Sequence, residues 1–66
     1  MKLTINDELT EIPDGLTISQ LLEQLKLTNR HVAVERNRHI VSYRTFADVR
    51  LEEGDSLELV TLVGGG

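Results

Sequence analysis

Met1, Leu3 and Ile5 alternate with Lys2, Thr4 and Asn6. A period of two predicts a strand with one face buried and one face wet. Asn6-Asp7-Glu8 predicts a turn, because Asn and Asp tolerate left-handed backbone and cap their own turns. A second strand is expected over Glu8 to Ile12, where Leu9 and Ile12 stand three apart. A regular strand cannot bury both without a bulge or a strand end. Pro13-Asp14-Gly15 ends it. The pattern then changes period. Ile18, Leu21, Leu22 and Leu25 fall at i, i+3, i+4 and i+7, one apolar stripe of a helix. Thr17 and Gln20 form a capping box in front of it, and Leu16 with Leu21 suits a hydrophobic staple. Thr28-Asn29 is the expected exit. A third strand follows over His31 to Glu35, with Val32 and Val34 on one side. Arg36-Asn37-Arg38 reads as a turn and His39-Ile40-Val41 as a short return strand. Ser42 to Val49 has no strong period. Its Tyr43 and Phe46 are the only aromatics and suit a single helical turn tucked under the sheet. Glu53-Gly54-Asp55 is a turn, and Ser56 to Val63 is the last strand. Leu57, Leu59, Thr61 and Val63 share one of its faces; Glu58, Val60 and Leu62 share the other.

The order strand, strand, helix, strand, short strand, strand predicts an α+β, β-grasp (ubiquitin-like) fold. It has a mixed sheet of four to five strands, one main helix on one face, and a flexible C-terminal glycine tail. Sixty-six residues leave room for one domain, expected over 1–66 with 63–66 as the tail. Hydrophobic residues at 39% and charged ones at 27% mark a folding sequence rather than a disordered one. With no cysteine, disulfides, cysteine–metal sites and protein thiol chemistry are all excluded. No apolar run is long enough to span a bilayer, and Met1-Lys2-Leu3-Thr4-Ile5 lacks a signal-peptide core. A cytoplasmic protein, complete from Met1, is expected.

Charge adds a second pattern. The net −4 argues against nonspecific nucleic-acid binding. Residues 30–50 nevertheless carry five arginines against Glu35 and Asp48, while the segments on either side are acidic. Arg36, Arg38 and Arg44 could meet phosphates or an acidic partner, or simply form a solvated hairpin tip. Aromatics at 3% give no stacking platform for single-stranded nucleic acid. His31 and His39, without cysteine and far apart in sequence, make a weak metal pair. Ser42, His39 and Asp48 do not make a nucleophilic triad, because no strained Gly-x-Ser-x-Gly turn surrounds the serine. Glu52-Glu53 lacks the apolar pocket that raises a carboxyl pKa for acid catalysis. No catalytic side chain is expected, and the chain is not expected to be an enzyme.

Two features remain. Glu58, Val60 and Leu62 would point to the uncovered sheet face, as a partner docking patch or partly covered by the Ser42–Val49 segment. Val63-Gly64-Gly65-Gly66 follows the last strand directly. Glycine without Cβ permits close approach by another protein. Such a tail can thread a partner's active-site channel and place the Gly66 carboxylate beside a nucleotide phosphate.

These residues carry a resemblance. Val34-Glu35-Arg36-Asn37-Arg38 leading into Ile40-Val41, Leu51-Glu52-Glu53-Gly54-Asp55, and Leu57 through Gly66 together resemble the ThiS family of sulfur carriers in thiamine thiazole biosynthesis. Ser42-Tyr43-Arg44 departs slightly from the usual Pro or Gly, Arg and aromatic. The resemblance implies that a ThiF-type activating enzyme adenylates the Gly66 carboxylate with ATP and Mg. A persulfide sulfur then displaces AMP to leave a thiocarboxylate. Thiazole synthase, ThiG, takes that sulfur. The carrier itself binds no cofactor, nucleic acid or membrane in this reading. Two alternatives stay open: a molybdopterin-synthase small-subunit type of carrier, and a noncatalytic TGS-like β-grasp binding module.

Overall fold

The computed structural model describes residues 1–27 and 31–62. β1 (Lys2–Ile5) and β2 (Glu8–Glu11) form an antiparallel hairpin. α1 (Ile18–Gln24) follows, then the hairpin β3 (Val32–Arg36) and β4 (His39–Val41), then β5 (Ser56–Thr61). The five strands lie in the order β2-β1-β5-β3-β4. β5 runs parallel to β1 and antiparallel to β3, so the last strand occupies the centre of the sheet. This is the β-grasp plan. No described helix is long and apolar enough to cross a membrane.

Both hairpins turn on two left-handed residues, Asn6 and Asp7 in one, Asn37 and Arg38 in the other. Two positive φ angles in a two-residue loop match the right-handed twist of the strands they join. α1 starts as its sequence dictates. The Thr17 hydroxyl accepts from the Gln20 N–H at 3.2 Å, and the Gln20 side chain accepts from the Thr17 N–H at 2.8 Å. It ends earlier than expected. Lys26 takes a φ of 61°. Its N–H donates to the Glu23 carbonyl and the Leu27 N–H to the Leu22 carbonyl. That is a Schellman cap with lysine in the usual glycine position. Leu25 therefore leaves the fully buried stripe and is 41% exposed, while Ile18, Leu21 and Leu22 are buried. The expected exit at Thr28-Asn29 lies outside the described residues.

The core sits on one sheet face. Leu3, Val32, Val34 and Leu57 from the strands meet Ile18, Leu21 and Leu22 from the helix, with Ile12, Phe46 and Leu51 from the connections. The tension between Leu9 and Ile12 resolves through the strand end: Ile12 lies just past β2 and is buried, and Leu9 faces solvent. The aromatic pair divides. Phe46 enters the core after a single 3-10 turn at Tyr43–Thr45, and Tyr43 stays exposed under the Arg44 guanidinium, 5.8 Å from its ring centre.

Candidate functional site

The pairing register assigns every strand residue to a face. Val34 pairs with both Leu59 and Val41 on the helix side. Ala33 pairs with Val60, and Glu35 with both Glu58 and Ile40, on the open side. Val60 is 57% exposed and Leu62 54%. The Ser42–Val49 segment does not cover them. It runs beside the helix instead, where the Phe46 and Val49 carbonyls accept from Ser19 and Ile18 N–H groups. The open face thus carries Val60, Ala33 and Ile40 around two glutamates set directly opposite each other. Like charges in that position repel. Val63, Gly64, Gly65 and Gly66, the expected tail, lie outside the described residues.

The segments on either side of β5 are held by polar groups whose role was not visible in the pattern. Asp55, immediately before β5, is buried. Its carboxylate accepts from Arg36 Nε at 2.9 Å, Asn37 Nδ2 at 3.1 Å and the Glu52 N–H at 2.8 Å. Asn37 in turn accepts from the Ser56 N–H at 2.9 Å. Burial alone favours the neutral acid. The donated hydrogen bonds from Glu52, Asn37 and Arg36, with the arginine charge, outweigh it and hold the Asp55 carboxyl below its ordinary value. Arg36 is therefore a structural partner, not a free phosphate ligand. Glu52 accepts from the same guanidinium at 3.3 Å, and Glu53 accepts from the Lys2 N–H at 3.0 Å. Both acids are thus engaged in the fold.

The remaining candidates stay apart. His39 Nδ1 lies 3.1 Å from the Asn37 carbonyl. The Ser42 hydroxyl accepts from the Arg44 N–H at 3.3 Å as a turn cap. Among the described residues no cavity is enclosed and no group of histidines and carboxylates could hold a metal ion. What the described surface offers is an apolar face on the strand that leads into the glycines.

Comparison with known proteins decides the family. The ThiS family model matches residues 2–66. The chain belongs to the ThiS family. It is similar to the sulfur carrier protein ThiS of Bacillus subtilis, 42% identical over 53 residues, covering 80% of each chain. It is also similar to the crystal structure of the thiamine biosynthesis protein ThiS from Geobacter metallireducens. That match has a TM-score of 0.84 and 29% identity and covers 100% of both chains. A thiazole synthase of Paramagnetospirillum magneticum is 44% identical over 66 residues. The chain spans only 20% of that protein's length, so in it a ThiS-like segment shares a polypeptide with much further sequence. The ThiS match extends across the hairpin Arg36-Asn37 and the turn ending at Asp55, the residues now seen to bond to one another.

Proposed function

We propose that this chain is a sulfur carrier for thiazole formation and that Gly66 is its working residue. The observation that carries the reading is the path of β5. One strand of a ThiS-family fold lies at the sheet centre, presents Val60 and, just past its end, Leu62 to solvent, and continues in sequence into Gly64-Gly65-Gly66. A ThiF-type enzyme would dock on Glu58, Val60 and Leu62, and a cationic side chain from it would relieve the Glu35–Glu58 repulsion. The tail Val63, Gly64 and Gly65 then lies in the partner's channel.

The chemistry follows from the weakness of a carboxylate as an acyl donor. One Gly66 oxygen attacks the α-phosphorus of ATP, and pyrophosphate leaves. A persulfide sulfur next attacks the carbonyl carbon, a C–S bond forms, and the C–O bond breaks to release AMP. A thiol then cleaves the S–S bond of the acyl persulfide and is itself oxidised to a disulfide. The thiocarboxylate so formed gives its sulfur to thiazole synthase, the activity named for the fused relative. Every group that makes or breaks bonds, apart from the terminal carboxylate, belongs to a partner. Of the three readings open at the sequence level, family membership favours this one over a molybdopterin-type carrier or a TGS-like module. The test is pyrophosphate release from ATP by a ThiF-type enzyme. Release should require this chain and should disappear when Gly66 is deleted. Release that persists without Gly66 would overturn the assignment.

A further inference from the structure

β1 stops at Ile5, yet β5 continues for four residues beyond their last paired position, Ile5 with Leu57. The main chain of β1 cannot follow, because it turns away at Asn6, whose φ is 49°. The Asn6 side chain takes over instead. Its backbone N–H donates to the Leu57 carbonyl at 2.9 Å. Its Oδ1 accepts from the Leu59 N–H at 2.8 Å, and its Nδ2 donates to the Leu59 carbonyl at 3.2 Å. One carboxamide thus supplies the acceptor and donor that a continuing parallel strand would present to Leu59. Only asparagine fits all three demands. Aspartate accepts without donating, and glutamine is longer and tolerates the left-handed position less well. On the other side β3 pairs with β5 as far as Val32 with Thr61, and just beyond the strands the Leu62 N–H donates to the His31 carbonyl at 2.7 Å.

We infer that Asn6 is a positioning residue for the C-terminal carboxylate: its side-chain clamp on Leu59 fixes where the tail leaves the sheet. The inference rests on the carrier reading above. Four residues follow Leu62 in the sequence, and nine follow Leu57. At about 3.5 Å per extended residue, the reach beyond a fixed point grows from about 14 to about 32 Å when that point retreats from Leu62 to Leu57, the last residue that the β1 side still holds through its main chain. With the clamp gone, the end of β5 is held on one side only and frays as an edge strand does. A longer free tail dilutes its own terminus around the docked body, roughly as the −3/2 power of its length. The docking face is left as it was.

The experiment is steady-state pyrophosphate release by a ThiF-type enzyme with the carrier as varied substrate, using wild type, Asn6→Gly and Asn6→Asp. Glycine keeps the positive φ and deletes the carboxamide. Aspartate keeps an acceptor for the Leu59 N–H and loses the donor. Amide exchange at Leu59 confirms loss of that acceptor in Asn6→Gly, while Asn6→Asp should keep the amide protected. The expected result for Asn6→Gly is a fall in kcat of about twofold or more with KM unchanged, and an intermediate fall for Asn6→Asp. A purely structural role gives a different signature, since fewer folded carriers raise the apparent KM and leave kcat alone. Asn37→Gly, which breaks a link to Asp55 at the opposite end of β5, provides that comparison. Faster Leu59 exchange with wild-type kcat in Asn6→Gly overturns the inference. A wild-type chain that elicits no pyrophosphate release overturns the carrier reading itself.

Discussion

Asp55 shows how one buried charge organises its surroundings. Three donors converge on it, from β3, from the β3–β4 turn and from its own turn. Replacing it with alanine strands those donors, and Asp55→Ala is expected to lose about 2 kcal/mol. In a domain of this size that lowers the melting temperature by about 8–16 °C. The pH dependence follows from the direction of its shift. Its folded pKa is depressed, so its contribution is complete above the ordinary aspartate value of about 4 and is lost as pH falls through the folded value. Thermal melts of wild type between neutral pH and pH about 3 should show that loss. The alanine variant should show less of it, and an equal acid response in both would contradict the assignment. Asp55 could not be picked out in the sequence. It looked like one more turn aspartate, because its partner Arg36 is 19 residues away and the pairing exists only once β5 lies beside β3. Asn6 was read as a turn former, which it is, but its grip on Leu59 depends on a strand contributed 53 positions later.

Elements were legible where local rules decide them. The capping box at Thr17, the alternation of β1 and the two hairpins all rest on neighbours in sequence, and all are present. The helix C-terminus was missed by two to three residues because a lysine fills a position that glycine or asparagine normally signals. That lysine can be tested. Lys26→Gly relieves the left-handed backbone at the end of α1 and should raise stability by about 0.5–1 kcal/mol, measured by chemical denaturation. A lower midpoint would mean that the lysine stem contributes more by packing than its backbone loses. Leu25 follows from the same early stop, since a helix ending at Gln24 cannot carry its stripe one turn further.

For the molecule as a whole, topology connects the fold to the proposed chemistry. The terminal strand lies at the sheet centre, with covalent continuity into the glycines and a wet apolar face. The strand order came from element order, but the exposure of Val60 and Leu62 needed the course of Ser42–Val49, which no periodicity revealed. If that face docks the activating enzyme, Val60→Asp should raise the carrier's KM by about tenfold or more, the scale of an interface residue worth over 1 kcal/mol, with little effect on melting. An unchanged KM would move the docking surface elsewhere. The central claim is that the end of the backbone carries the sulfur. Intact-mass and fragment-ion spectrometry of this chain, after incubation with ATP, Mg, a ThiF-type enzyme and a persulfide donor, tests it most directly. The account predicts a single oxygen-for-sulfur exchange confined to the Gly66 fragment. An unaltered mass, or sulfur found on any other residue, would contradict it.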